Sequence, residues 1–217
     1  MSHSSDAPDT GTPDSATRDA GTPDAGTPDN VERPLTPGRP PELLPVGGGA
    51  HLRRRRPADA AALNDAVIAN LDHLRPYMPW AANAPTLPES QQLSVRGEQV
   101  WDEGTDFMYL LGLDADPAVV IGGFGLHGRI GPGALEIGYW VHREHTGRGL
   151  ATAAARALTE AALALPGITR AEIHCDESNA ASAAVPRKLG YTLDRIDDEK
   201  PTAPAETGRK MIWVTGS

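Results

Sequence analysis

The chain has one cysteine, Cys175, which excludes an intrachain disulfide and accords with a reducing compartment. Lying within an apolar strand, it reads as a buried packing residue rather than a nucleophile. Lysine is nearly missing: Lys188, Lys200 and Lys210 stand beside seventeen arginines, a bias read as composition without functional content. No apolar run is long enough to cross a bilayer, and the acidic, proline-rich start lacks the basic and hydrophobic stretches of a signal or transit peptide. No membrane partner and a cytoplasmic location are therefore expected. Branched aliphatics are missing from the first forty residues except for Val31 and Leu35, while Gly-Thr-Pro-Asp recurs from Gly11, Gly21 and Gly26. Such a segment cannot offset its chain entropy by burial. Residues 1–45 are expected to be a disordered acidic tail, and 46–217 a single domain. Seven acids against three arginines in residues 1–40 assign −4 of the total −9 to this tail, and a body that is also negative excludes a nucleic-acid partner.

In the body, His51 to Arg56 reads as a strand, and Pro57 and Asp59 mark the start of a helix in which Leu63, Val67, Leu71 and Leu74 fall at helical spacing. The four arginines from Arg53 to Arg56 do not form a basic patch, because alternate strand residues point to opposite faces. Glu89 to Glu103 reads as a second helix, with Gly97 a weak point and Gly104 a stop. Phe107 to Leu111, Ala118 to Gly122 and Ala134 to Val141 read as strands. Gly123-Phe-Gly125-Leu-His-Gly128 is a literal G-x-G-x-x-G, but Arg129-Ile-Gly-Pro-Gly133 follows as a hairpin turn, so the helix that dinucleotide binding needs is missing.

After the strand Ala134 to Val141, a turn carrying Gly147 and Gly149 leads into an alanine-rich helix whose Leu150, Ala154, Leu158, Ala161 and Leu165 form one stripe. Free N–H groups at a helix start, added to the positive end of its dipole, bind phosphate, and glycines let a diphosphate approach the main chain. Alone, a glycine pair is equally an ordinary strand-to-helix connection. Further on, Ala171 to Cys175 is a strand, Asn179 to Leu189 a helix stopped by Gly190, and Tyr191 to Arg195 with Met211 to Val214 a closing hairpin.

Thr146-Gly147-Arg148-Gly149-Leu150-Ala151-Thr152 and Asn179-Ala-Ala-Ser182 before Leu189-Gly190-Tyr191 together resemble the acyl-CoA site of the GCN5-related N-acetyltransferases. Thr146 departs from the Gln or Arg usual at its position, which removes a side chain but no backbone donor. Leu74-Arg-Pro-Tyr77-Met78-Pro-Trp80 and Glu136-Ile-Gly-Tyr-Trp-Val141 look most like the branch that acetylates the N-termini of ribosomal proteins. The resemblance implies an α/β (α+β) fold, a mixed, mostly antiparallel sheet of six to seven strands flanked by about four helices, with acetyl-CoA as co-substrate and often a homodimer.

It also implies site roles. Thr146 to Thr152 would hold the diphosphate. The main chain of Tyr139, Trp140 and Val141 would pair with the pantetheine arm, one of its N–H groups serving as oxyanion donor. Asn179 would bind the arm through its amide and Ser182 would protonate the leaving thiolate, although both also fit a helix cap. Glu136 is the candidate base through a water, or else a solvated strand residue. Tyr77, Met78 and Trp80 would line the acceptor cleft or pack against the sheet, and the acids of Asp197 to Glu206 would give it a negative rim. No His-Asp pair stands out in the sequence. An α-amine needs about 0.6 kcal/mol to lose its proton near pH 7.4 and a lysine about 4, so an N-terminal acceptor tolerates a weak base. His142 and His145 flank the loop as phosphate or solvent contacts, and His51, His73, His127 and His174 show no metal-ligand spacing. The acceptor is a protein N-terminus or a small cationic amine; a non-enzymatic acyl-CoA-binding module is the third reading.

Overall fold

The computed structural model describes residues 38–215. Its centre is one eight-stranded sheet in the order β1-β2-β3-β4-β5-β6-β8-β7. The strands are β1 (Leu43–Gly47), β2 (Ala50–Arg54), β3 (Asp106–Leu113), β4 (Asp116–His127), β5 (Ala134–Val141), β6 (Arg170–Asp176), β7 (Thr192–Asp198) and β8 (Arg209–Val214). Every neighbouring pair is antiparallel except β5 and β6. The helices are α1 (Ala60–Ala69), α2 (Leu71–Leu74), α3 (Leu87–Glu103), α4 (Leu150–Leu163) and α5 (Ala180–Leu189). Among the described residues, no helix is long and apolar enough to cross a membrane.

Successive strand residues point to opposite faces, so the sheet buries two separate apolar sets. Leu111, Ile121, Leu135, Ile137 and Ile173 pack with Ala154, Leu158 and Ala162 of α4, whereas Leu110 and Val120 pack with Leu63, Ala66 and Val67 of α1. Helix α3 starts at Thr86, whose side chain caps Glu89 N while the Glu89 carboxylate accepts from Thr86 N, and stops at Gly104 with φ 74°. Gly97 is no defect: a Cβ there would collide with the Arg55 guanidinium, which lies against the helix and donates to Leu93 O at 2.8 Å.

Two expectations need correction. The sheet begins before residue 46: β1 pairs with β2, Tyr109 donates to Pro41 O at 2.7 Å, and Arg39 reaches Trp101 O and Asp102 O. Buried Arg54 joins Glu42 to Asp102 and lies over the Trp101 ring. These contacts come from residues far along the chain, which composition does not register. Residues 1–37 of the expected tail lie outside the described residues. The expected first helix is two pieces, because Asn70 leaves the helical conformation at φ −116°, ψ 6° and turns its amide into the interior.

Candidate active site

Strands β5 and β6 pair only from Ala134 with Arg170 to Glu136 with Glu172, yet β5 runs on to Val141 and β6 to Asp176. From Ile137 onward the two strands part, leaving a wedge whose β5 edge has main-chain groups unpaired with β6. The Gly147–Gly149 loop lies just past the C-terminal end of β5. Gly147 (φ 73°) and Gly149 (φ 78°) both occupy the left-handed region, and a Cβ built on either meets no atom within 4 Å. Gly149 caps α4, and the N–H groups from Gly147 to Thr152 donate to no main-chain carbonyl among the described residues. The loop is thus an open ring of donors at the positive end of a fourteen-residue helix.

What precedes the loop fixes it. Residues Arg143–His145 form a single 3-10 turn, closed by Thr146 Oγ1 donating to Arg143 O at 2.8 Å. Arg143 N donates to Asn70 Oδ1 at 2.8 Å, and Asn70 Nδ2 donates to Ala66 O at 2.7 Å. Asn70 is 1% exposed, so its bond to Ala66 O is buried, while that from Arg143 N is partly so. Burial, then the charges of Arg148 and His142, hold the His145 imidazole below its usual pKa.

The far side of the wedge is built by the β6–α5 turn. Asn179 caps α5 with Oδ1, which accepts Ser182 N at 3.0 Å, so its amide NH2 stays available to a ligand. Ser182 Oγ lies 3.2 Å from the Tyr139 hydroxyl, which also donates to Ser182 O at 3.1 Å. This contact joins β5 to α5, and the Tyr139 ring stacks on Phe124. Buried Asp176 accepts from Ser178 N and Oγ, Thr207 N and Oγ1, and Gly208 N. Burial opposes its charge, but these five donors outweigh it and hold its carboxyl well below the usual range. The same turn meets Tyr77, whose hydroxyl donates to Ser178 O at 3.1 Å, while Ala205 N donates to Pro76 O.

Among the residues expected to line the acceptor cleft, Tyr77 is therefore a strut, Met78 packs beside α1, and Trp80 keeps half its surface exposed. The acidic rim is partly compensated. Asp197 shares Arg195 with Asp194, Asp198 shares Arg209 with Glu177, Glu199 pairs with Lys210, and Glu206 accepts the N–H groups of Thr202 and Ala203.

Glu136 lies at the apex of the wedge, buried, in a two-point ion pair with Arg129 at 2.7 and 2.6 Å. Burial pushes its pKa up, but the hydrogen bonds and charge of Arg129, helped by His174 and His127, bring it down to about 2. A carboxylate so held is a poor proton acceptor, at odds with the expectation that it is the base. Two other findings went unseen in the sequence. A His-Asp pair does exist, His127 Nδ1 to Asp106 Oδ1 at 3.1 Å, assembled by strand register from residues 21 apart. The G-x-G-x-x-G glycines are spacers within and beyond β4: a Cβ would strike the Trp140 indole at Gly123, the His127 ring at Gly125 and Thr105 O at Gly128.

Residues 50–192 match the model of the acetyltransferase (GNAT) domain. YdaF of Bacillus subtilis strain 168, a candidate ribosomal N-acetyltransferase, is 28% identical over 145 residues, 64% of this chain and 76% of its own. The structure is similar to that of RimL, the ribosomal L7/L12 alpha-N-protein acetyltransferase in complex with coenzyme A. The TM-score is 0.72 at 24% identity, over 80% of this chain and 97% of that one. It is also similar to Mycobacterium smegmatis RimJ in complex with a CoA disulfide, with TM-score 0.69 at 21% identity over 82% and 87% of the two chains. Parted strands, an open glycine loop on a helix start and a domain match over most of the described residues converge: the chain belongs to the GNAT acetyltransferase family and is an acetyl-CoA-dependent N-acetyltransferase.

Proposed function

We propose that the chain moves an acetyl group from acetyl-CoA to the α-amine of a protein or peptide N-terminus, by direct attack in a ternary complex. The observation that carries this reading is the parting of β5 and β6 beyond Glu136 and Glu172, beside a donor loop that nothing among the described residues fills. The loop from Thr146 to Thr152, with Arg148, holds the diphosphate. The main chain of Tyr139, Trp140 and Val141 pairs with the pantetheine arm, which the Asn179 NH2 also binds. Ser182, in contact with the Tyr139 hydroxyl, returns a proton to the departing sulfur. Glu136 stays ionised and fixes the charge balance at the apex, and the exposed Trp80 ring offers an apolar contact to the acceptor.

Ribosomal and α-N-protein acetylation in the names of similar proteins supports a peptide acceptor. The test is turnover of acetyl-CoA by the full chain with free and blocked N-terminal peptides and with polyamines, read by mass spectrometry. Acetylation confined to the free α-amine is expected. Acetylation of polyamines with none of the peptides overturns the acceptor, and no turnover with any amine overturns catalysis.

A further inference from the structure

A row of ionisable residues crosses the sheet at one register. Asp106 faces His127, His127 faces Glu136, and Glu136 faces Glu172 on four successive strands. Equal register places their side chains on one face, opposite the face that α4 covers. His174, two residues beyond Glu172, joins the row.

Most of these groups are already committed. Glu136 is held by Arg129 through both oxygens. His174 faces a carboxylate at each nitrogen, Glu172 at 2.6 Å and Glu136 at 3.8 Å. His127 is different. Its Nδ1 meets Asp106, and its ring lies along a floor of two glycines paired across β4 and β5. A Cβ on Gly125 would come within 2.6 Å of Nε2, and one on Gly138 within 3.2 Å. Gly138 stands on the part of β5 that has left β6, so Nε2 borders the wedge, and it has no hydrogen-bond partner among the described residues.

The tautomer follows from chemistry. An ionised carboxylate only accepts, so the neutral imidazole carries its hydrogen on Nδ1 and leaves the lone pair on Nε2, directed along the glycine floor. The charged groups nearest the ring are Asp106 on β3 and Glu136 on β5, the latter paired with Arg129.

We propose that His127 is the base that takes the proton from the acceptor ammonium, with Asp106 as its positioning residue. The N–H bond of the ammonium breaks, its proton passes to Nε2, and the freed lone pair forms the C–N bond. As the C–S bond breaks, the amine's second proton passes to the sulfur by way of Ser182, and Nε2 returns its proton to solvent. The assignment rests on the proposed seat of the thioester along the free edge of β5, and the two are tested apart. The two glycines make room beneath the ring: a Cβ on Gly125 would force the imidazole to shift, and one on Gly138 would press on it by a few tenths of an ångström.

The test uses the full chain with acetyl-CoA and a free N-terminal peptide. His127→Ala is expected to lower kcat about a hundredfold or more, with CoA affinity by calorimetry within about twofold. Added imidazole, seated in the space over Gly125 and Gly138, should restore part of the rate, and the acid limb of the kcat/KM profile should vanish. Undiminished kcat overturns the proposal, as does a loss that imidazole does not relieve with the acid limb intact. If His127→Ala does not fold, Asp106→Asn decides: a shifted acid limb with unchanged CoA affinity supports the pair, and an unmoved limb sinks it. Failure of the unaltered chain to bind CoA would instead overturn the proposed cofactor seat.

Discussion

Asn70 Oδ1 accepts the main-chain N–H of Arg143 at 2.8 Å, tying the break between α1 and α2 to the turn that enters the Gly147–Gly149 loop. The break has a use: a continuous helix would keep Asn70 helical and turn its amide elsewhere. Asn70→Ala removes the acceptor of the partly buried Arg143 N–H, worth about 0.5–1.5 kcal/mol. The expected outcome is a lower melting temperature and CoA affinity weakened about three- to tenfold, with the acceptor KM unchanged. Calorimetry giving equal CoA affinity would separate Asn70 from the loop.

Gly149 invites a paired substitution. Asn and Asp are nearly the same size, both tolerate a left-handed backbone, and neither Cβ meets an atom here. Gly149→Asn should weaken CoA binding modestly through bulk, and Gly149→Asp by a further factor of at least about ten through repulsion of phosphate. Equal affinities for the two variants would place the diphosphate elsewhere.

The Tyr139–Ser182 contact separates binding from chemistry. Ser182→Ala should lower kcat about ten- to a hundredfold and leave the CoA Kd nearly unchanged. Tyr139→Phe, which keeps the stack on Phe124 but loses the bond to Ser182 O, should cost about 1 kcal/mol of stability. Unaltered kcat for Ser182→Ala removes it from proton transfer.

Glu136 predicts an acid transition. Its pKa falls on folding from 4.5 to about 2, so its contribution to stability is complete above about pH 4.5 and is lost as pH drops toward 2. Arg129→Gln removes the main group that lowers this pKa. The stability lost by that variant, measured by chemical denaturation followed through tryptophan fluorescence, should be largest near neutral pH and shrink as pH falls from about 4.5 toward 2. A pH-independent difference would mean that the ion pair does not hold Glu136 charged.

The conformations of the loop and the Asn179–Ser182 turn were legible because both are set locally. A φ above zero demands glycine, a helix start demands a cap, and each requirement is written within seven residues. The order of strands and helices was also readable from periodicity. What escaped were relationships made by register and long-range contact. His127 and Asp106 become neighbours only because β3 and β4 pair as they do, and Glu136 reads as a free acid until Arg129 folds back across the hairpin. The break at Asn70 was hidden because Leu63, Val67 and Leu74 keep helical spacing across it. Strand β1 pairs with the adjacent β2, but the residues leading into it are anchored by Trp101, Asp102 and Tyr109, more than fifty positions away.

Strand β8 lies between β6 and β7, so residues 209–214 fill an interior slot rather than an outer margin. During synthesis, β6 and β7 both leave the ribosome before the piece that must fit between them. Until it emerges, β6 has a vacant flank beside Ile173 and Cys175, residues that end up buried. A premature stop codon or proteolytic clip ahead of Arg209 would therefore not trim the protein but leave a gap next to the wedge between β5 and β6, and quality-control machinery would meet it as an incomplete protein.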